Sequence, residues 1–169
     1  MFNLDFRNLK IIKANKEMLS SIDFDCGDDD LNEFLLEDSF ENLDNSLCTI
    51  FLCIYDESIV GFFSLSADSI KVNTKLTIDY PSYPAIKIGR LAVSKEFQNL
   101  HIGSLMIEWI VGFCRNLRKE IGIRFVSVDA YNKEDTVKFY ENNFFLGLES
   151  VMRKKGRKNI PMYRDICEK

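Results

Sequence analysis

The run from Lys87 to Met106, KIGRLAVSKEFQNLHIGSLM, joins an apolar segment ending near Val93 to a second one beginning near Gly103 through a short polar link. A strand feeding a helix through such a link leaves the first N–H groups of the helix without intrahelical partners. It also aims the positive end of the helix dipole at whatever lies beyond the turn. A phosphate-bearing ligand is the natural occupant. Many strand–loop–helix units bind nothing, however, so by spacing alone a purely structural turn and a phosphate cradle both stay open. Other chemistries are disfavoured. The only histidine is His101, which argues against a histidine-built metal centre or a multi-histidine mechanism. The cysteines, Cys26, Cys48, Cys53, Cys114 and Cys167, form an odd set without C-x-x-C spacing and read as reduced thiols of a cytosolic protein.

The elements that must hold this link follow from periodicity. Cys48 to Tyr55, Ile59 to Ser66, Ala85 to Val93 and Phe125 to Ala130 are rich in β-branched and aromatic residues and read as strands. The first two flank Asp56-Glu57-Ser58, a polar link of hairpin length, so they are expected to be antiparallel. Apolar residues recur near the helical period over Asp28 to Asn42, Gly103 to Glu120 and Lys133 to Asn142. Asp28 is a candidate N-cap, followed by a face of Leu31, Phe34, Leu35 and Phe40. In the second helix Leu105, Trp109, Phe113 and Leu117 succeed one another by a turn, and Met106, Ile110 and Cys114 widen the stripe, as suits a helix packed on a sheet. The order helix, strands, strand, helix, strand, helix, strand describes an α/β or α+β domain with a mixed sheet.

The chain has 169 residues, 46% hydrophobic and 28% charged, with 14 phenylalanines, which fits a single folded domain over residues 1–169. No repeat or low-complexity stretch marks a boundary. The N-terminus lacks a signal-peptide pattern and no run approaches a membrane span, so a cytoplasmic protein without membrane contact is expected. The net charge of −4 does not advertise a nucleic-acid surface. Two local clusters, the aspartates at 23, 25, 28, 29 and 30 and the cations Arg153, Lys154, Lys155, Arg157 and Lys158, read as solvated surface when taken alone.

Arg90-Leu-Ala-Val93 followed by Gln98-Asn-Leu-His-Ile-Gly103 resembles motif A of the GNAT acetyltransferases, a Q/R-x-x-G-x-G/A loop that wraps the pyrophosphate of acetyl-CoA. Asp129-Ala-Tyr-Asn132 leading to Phe139-Tyr-Glu-Asn-Asn-Phe-Phe145 is similar to that family's motif B, a strand end followed by a helix closing in F-Y-x-x-x-G-F. With the flanking strands, the resemblance runs from about Asp23 to the C-terminus. It implies a mostly antiparallel central sheet, splayed at the cofactor strand and flanked by helices. It implies acetyl-CoA as cosubstrate, with no metal, and an amine as acceptor. Leu91, Ala92 and Val93 would then line the pantetheine arm, the backbone N–H groups of Gln98, Asn99, Leu100, His101, Ile102, Gly103 and Ser104 would hold the pyrophosphate, and Asn132 would contact the cofactor. Tyr140 falls on the family's tyrosine, the general acid that protonates the departing thiolate. The chemistry suits these parts. Amine attack on a thioester builds charge that a strand N–H can stabilise and releases a thiolate that a hydroxyl can protonate. No covalent nucleophile is needed, so no cysteine is assigned a role.

Two positions depart from the family pattern. His101 stands where the first loop glycine usually falls, and its side chain is expected to face solvent. Phe144 stands where the later glycine is expected; a positive φ is strained for phenylalanine, so Asn143 is expected to take the left-handed position. Asp68 and Glu96 are unranked candidates for a general base. Within the superfamily, Phe24-Asp-Cys-Gly-Asp-Asp-Asp-Leu-Asn-Glu-Phe-Leu35 and Val60-Gly-Phe-Phe-Ser-Leu-Ser-Ala-Asp-Ser69 look like the branch holding the acetyltransferase toxins of toxin–antitoxin pairs. That branch acetylates aminoacyl-tRNA and is restrained by a ribbon-helix-helix antitoxin. Because phosphate contacts supply most non-specific nucleic-acid affinity and this chain is net acidic, a small amine, peptide or protein acceptor ranks first. The tRNA toxin ranks second and a non-catalytic CoA-binding module third. A homodimer, common among relatives, is the expected assembly.

Overall fold

The computed structural model describes residues 5–72, 80–148 and 156–167. Its strands are β1 (Leu9–Lys13), β2 (Thr49–Tyr55), β3 (Ser58–Ile70), β4 (Tyr83–Val93), β5 (Phe125–Tyr131), β6 (Leu146–Gly147) and β7 (Asn159–Asp165). Its helices are α1 (Lys16–Leu19), α2 (Asp29–Glu33), α3 (Ser39–Asp44), α4 (Ile102–Leu117) and α5 (Glu134–Asn142). The strands form one seven-stranded sheet in the order β1-β2-β3-β4-β5-β7-β6. Pairing is antiparallel between β1 and β2, β2 and β3, β5 and β7, and β6 and β7, and parallel between β4 and β5. This is the mixed, mostly antiparallel α/β architecture expected from the sequence.

Two compact units make up the chain, residues 1–66 with 89–106 and residues 67–88 with 107–169. In the first unit the β2–β3 hairpin closes as its composition predicts. Tyr55 pairs with Ser58, and the two residues between them, Asp56 (φ 44) and Glu57 (φ 67), both adopt the left-handed conformation that matches strand twist in a two-residue turn. The core of this unit gathers Phe24, Phe34, Leu35, Ile50, Leu52, Phe62 and Ala92. Phe62 is its centre, meeting Phe24 edge-on at 5.4 Å and Phe34 stacked at 6.2 Å. Beside it, Gly61 has no room for a side chain: a Cβ there would stand 2.9 Å from the carbonyl oxygen of Ala92 and 3.1 Å from Met106.

Asp28 caps α2 as expected, its carboxylate accepting from Leu31 N–H at 3.2 Å. The helical run predicted over Asp28–Asn42 is not uniform, however. Phe34–Asp38 is a π-helical turn between α2 and α3, where the buried Ser39 hydroxyl donates to the Leu35 carbonyl at 2.7 Å. Strand β1 and helix α1 lie outside the elements that periodicity predicts. Both are short, and β1 (LKIIK) owes its place to pairing with β2 rather than to its own pattern.

The second unit is built on β5, which pairs with β7 along its full length from Phe125–Asp165 to Tyr131–Asn159. Tyr83 and Tyr163 meet the ring of Phe125 edge-on at 5.8 and 5.4 Å, closing a small core with Val72 and Ala85. The parallel register of β4 on β5 runs from Ala85–Phe125 to Ile88–Val128, while β4 itself continues to Val93. In α4 the Met106, Ile110 and Cys114 row of the expected stripe is buried, and the row of Leu105, Trp109, Phe113 and Leu117 is only half-buried. The deepest residues are Met106, Ile107, Ile110, Val111 and Cys114, whereas Trp109 and Phe113 stack on each other, half-buried, at 5.3 Å.

Candidate functional site

The link after β4 is a single 3-10 turn, Lys95–Phe97, followed by Gln98 in extended conformation and then the start of α4. Within it Ser94 N–H donates to the Val60 carbonyl and Lys95 N–H to the Asp25 carbonyl, both at 2.9 Å. Beyond Gln98 the bonding stops. Among the described residues, the backbone N–H groups of Asn99, Leu100, His101, Ile102, Gly103 and Ser104 make no hydrogen bond, and the next one engaged is Leu105 N–H to the His101 carbonyl at 3.1 Å. Asn99 (φ 63) and His101 (φ 62) are both left-handed. Two left-handed residues alternating with Leu100 turn successive N–H groups toward a common side, the concavity that binds anions. The helix dipole adds its positive end there.

His101 therefore adopts the backbone conformation that a glycine at its position would supply, and its side chain is exposed, as expected. Asn and His are among the residues that tolerate this region best. The other predicted cofactor residues of this unit line up on either side of the turn. Ala92 and Ile102 are buried in the core, Leu91, Val93, Leu100, Gly103 and Ser104 are half-buried, and Gln98 and Asn99 are exposed. Gln98 does more than supply a backbone group. Its side-chain amide donates to the carbonyls of Cys26 (2.8 Å) and Val93 (3.0 Å). Arg90 lies with its guanidinium 5.1 Å over the Phe34 ring.

The second unit carries Asn132 and Tyr140. Asn132 is exposed and its amide donates to the Arg157 carbonyl at 3.0 Å, tying the end of β5 to the start of the segment that leads into β7. Tyr140 is buried on α5, its ring packed edge-on against Phe139 at 5.0 Å and Phe145 at 5.3 Å. Its hydroxyl makes no hydrogen bond among the described residues. Burial pushes the phenol well above its ordinary pKa, so it stays protonated and available as a donor.

The helix carrying Tyr140 ends differently from expectation. Asn143 keeps a negative φ of −100 and Phe144 takes the left-handed position at φ 64. The reason is that Asn143 is needed elsewhere: it is buried, and its amide donates to the Phe139 carbonyl at 2.7 Å. Phe144 N–H bonds to the Glu141 carbonyl and Phe145 N–H to the Tyr140 carbonyl, the double closure of a Schellman motif with phenylalanine in the glycine place. Phe144 bears the backbone strain at the surface, where Arg164 sits 5.2 Å over its ring.

Of the two carboxylates considered as bases, Asp68 accepts the Ser127 hydroxyl at 2.5 Å and Glu96 is exposed on the turn. Burial raises the thiols of Cys26, Cys48, Cys53 (to about 11) and Cys114 (to about 12), which keeps them protonated and unreactive. Arg157 and Lys158 are exposed, while Arg153, Lys154 and Lys155 lie outside the described residues. Sequence reasoning missed Asp25, Asn32 and Lys95 as parts of this region. Asp25 looked like one aspartate of a solvated cluster, but its carboxylate binds Lys95 Nζ at 2.7 Å across 70 residues of chain. Among the described residues no three histidine, cysteine or acidic side chains are grouped to hold a metal, and no helix is long and apolar enough to cross a membrane.

The sequence matches the family model for the acetyltransferase (GNAT) family over residues 13–144. It is 26% identical over 115 residues to a tRNA-acetylating toxin of Mycobacterium tuberculosis, covering 66% of this chain and 69% of the relative. Among solved structures it is similar to AtaT complexed with acetyl-methionyl-tRNAfMet, with TM-score 0.77, 20% identity, and 92% and 94% of the two chains covered. It is also similar to a phenylalanine-for-tyrosine mutant of the AtaT toxin bound to the C-terminus of the antitoxin AtaR and acetyl-CoA, with TM-score 0.72, 19% identity, and 94% and 93% covered.

Proposed function

The chain belongs to the GNAT family of acetyl-CoA-dependent acetyltransferases, and from that premise we propose that residues 1–169 act as one N-acetyltransferase domain whose acceptor is the amino group of aminoacyl-tRNA. The observation that carries the cofactor half of this reading is the run of six successive unbonded N–H groups from Asn99 to Ser104, with left-handed residues at 99 and 101. A pyrophosphate needs several donors converging on one side and little else, and these residues fit it. Acetyl-CoA supplies the activated acetyl group as a thioester. Leu91, Ala92 and Val93, on the part of β4 beyond its register with β5, offer strand backbone to the pantetheine arm. Asn132 keeps a side-chain oxygen for the cofactor while its amide holds Arg157.

Tyr140 acts as the acid. Its proton goes to the leaving sulfur as the carbon–sulfur bond breaks, and the proton shed by the amine nitrogen once it has bonded to the carbonyl carbon restores the phenol through solvent. Burial raises the phenol, so its proton is present when the thiolate forms. The base is left to water, since Asp68 is engaged with Ser127.

The acceptor ranking drawn from net charge is reversed. A relative that acetylates tRNA weighs more than a net charge of −4, because tRNA affinity depends on local cations rather than on the sum. Arg90, Arg157 and Lys158 are such cations on the described surface. A small antitoxin protein that masks this activity and a homodimeric assembly in the cytoplasm complete the reading. The test is direct. Purified protein with labelled acetyl-CoA is offered aminoacylated tRNA, the free amino acids and a peptide mixture. Acetylated aminoacyl-tRNA is the expected product, formed at a rate that falls steeply with salt. Acetylation of peptides or small amines with none on tRNA would return the acceptor to those classes, and no thiol release with any amine would leave a CoA-binding module.

A further inference from the structure

The segment Phe24–Asn32 runs into α2 and is far in sequence from the turn after β4, yet six hydrogen bonds organise the two together within one unit. Three converge on the Asp25 carboxylate: Gly27 N–H at 2.8 Å and Asn32 Nδ2 at 3.0 Å on one oxygen, and Lys95 Nζ at 2.7 Å on the other. Lys95 N–H returns to the Asp25 carbonyl at 2.9 Å. Asn32 Oδ1 in turn accepts Cys26 N–H at 3.0 Å, and Gln98 Nε2 reaches the Cys26 carbonyl at 2.8 Å. The aspartate segment is itself anchored, because Phe24 and Cys26 on either side of Asp25 are buried in the core. Gly27 is left-handed (φ 83), and a Cβ on it would stand 2.8 Å from the Lys95 side chain, so the two segments are in close contact.

This places a strut under the N-terminal end of a loop whose other end is anchored by Ile102, buried in the core at the start of α4. The six unbonded N–H groups begin at the residue after Gln98. A row of donors waiting for an anion repels itself and has no internal bond to keep its shape, so its geometry must be imposed from outside. Both hydrogens of the Gln98 amide are committed, one to Cys26 and one to Val93, so this side chain is not a phosphate donor. We propose that Asp25, Asn32, Lys95 and the Gln98 side chain are positioning residues that preorganise the Asn99–Ser104 loop for the pyrophosphate of its ligand. This inference rests on the acetyl-CoA reading above and adds to it side chains that touch neither cofactor nor acceptor.

The test uses the full chain, with acetyl-CoA as the probe, in Gln98→Met, Lys95→Met and Lys95→Arg variants. Calorimetry gives the dissociation constant and backbone NMR order parameters of the ligand-free protein report the order of residues 99–104. Gln98→Met keeps the length of the side chain and removes both donors; affinity is expected to fall roughly tenfold, the equivalent of one or two lost hydrogen bonds. Order parameters across 99–104 fall while those of the β2–β3 hairpin are unchanged. Lys95→Met weakens binding about threefold with the same local signature, and Lys95→Arg, which keeps a charged donor for Asp25, restores affinity to within twofold of wild type. Should Gln98→Met fail to fold, the exposed Lys95 pair carries the test alone. Wild-type affinity in Lys95→Met, or weaker binding with unchanged order parameters at 99–104, overturns the proposal. Absence of acetyl-CoA binding to the wild-type chain overturns the cofactor reading itself, before any variant is compared.

Discussion

Replacing Tyr140 by phenylalanine separates the chemical role of this residue from its structural one. The ring is what packs, against Phe139 at 5.0 Å and Phe145 at 5.3 Å, and phenylalanine keeps both contacts. The hydroxyl makes no hydrogen bond among the described residues, so its removal leaves no orphaned partner. Folding stability should therefore change by less than about 0.5 kcal/mol. Catalysis should change far more. A positioned general acid contributes about 10²- to 10⁴-fold, or roughly 3 to 5.5 kcal/mol of barrier. The assay is release of free CoA thiol in the presence of acceptor, beside a titration of acetyl-CoA binding. Tyr140→Phe is expected to bind acetyl-CoA as the wild type does, unfold at the same denaturant concentration and turn over at least a hundredfold more slowly. Because burial holds the phenol above its ordinary pKa, the wild-type rate should show no loss attributable to this group up to pH ~10. Turnover within threefold of wild type would refute the acid assignment. A variant that no longer bound the cofactor would refute the claim that the ring alone supports the fold.

Acetyl-CoA at a hundredfold over its dissociation constant should stabilise the protein by ~2.7 kcal/mol, raising the thermal midpoint by about 5 to 10 °C for a chain of this size, and a nucleotide lacking the pantetheine arm should do much less. Gly61→Ala forces a methyl against the Ala92 carbonyl at 2.9 Å, a backbone atom that cannot swing aside, so urea denaturation should report a loss of about 1–3 kcal/mol. The Asp25 carboxylate is held at about 2, below its ordinary 3.8, chiefly by Lys95 and then by Asn32 and the Gly27 N–H. A carboxylate whose pKa is lowered on folding stabilises the protein above its unfolded value and loses that contribution as pH falls through the folded one. The midpoint gap between wild type and Asp25→Asn should thus be full at pH 6, shrink below pH ~4 and close only below pH ~2; a gap that did not vary with pH would place the effect in packing instead.

What the sequence determined was local and periodic. The hairpin at Asp56-Glu57 was legible because a two-residue polar link between apolar runs admits few turns, and the Asp28 cap because an aspartate before a helical stripe satisfies an orphan N–H within its own turn. The strand–loop–helix unit and the place of Tyr140 could be read from motif spacing, since both lie within one continuous stretch. Tertiary structure decided everything that required two distant segments to meet. Nothing in Phe24–Asn32 announces that Asp25 will take Lys95, and β1 exists only because β2 offers an edge. The choice between Asn143 and Phe144 was likewise not local. Intrinsic preference favours asparagine at positive φ, but a buried amide bonded to Phe139 is worth more than the strain moved onto an exposed phenylalanine braced by Arg164. Short-range sterics and capping act through the chain and leave a mark in it. Burial and long-range hydrogen bonding act through space, and only the folded molecule specifies which residues they join.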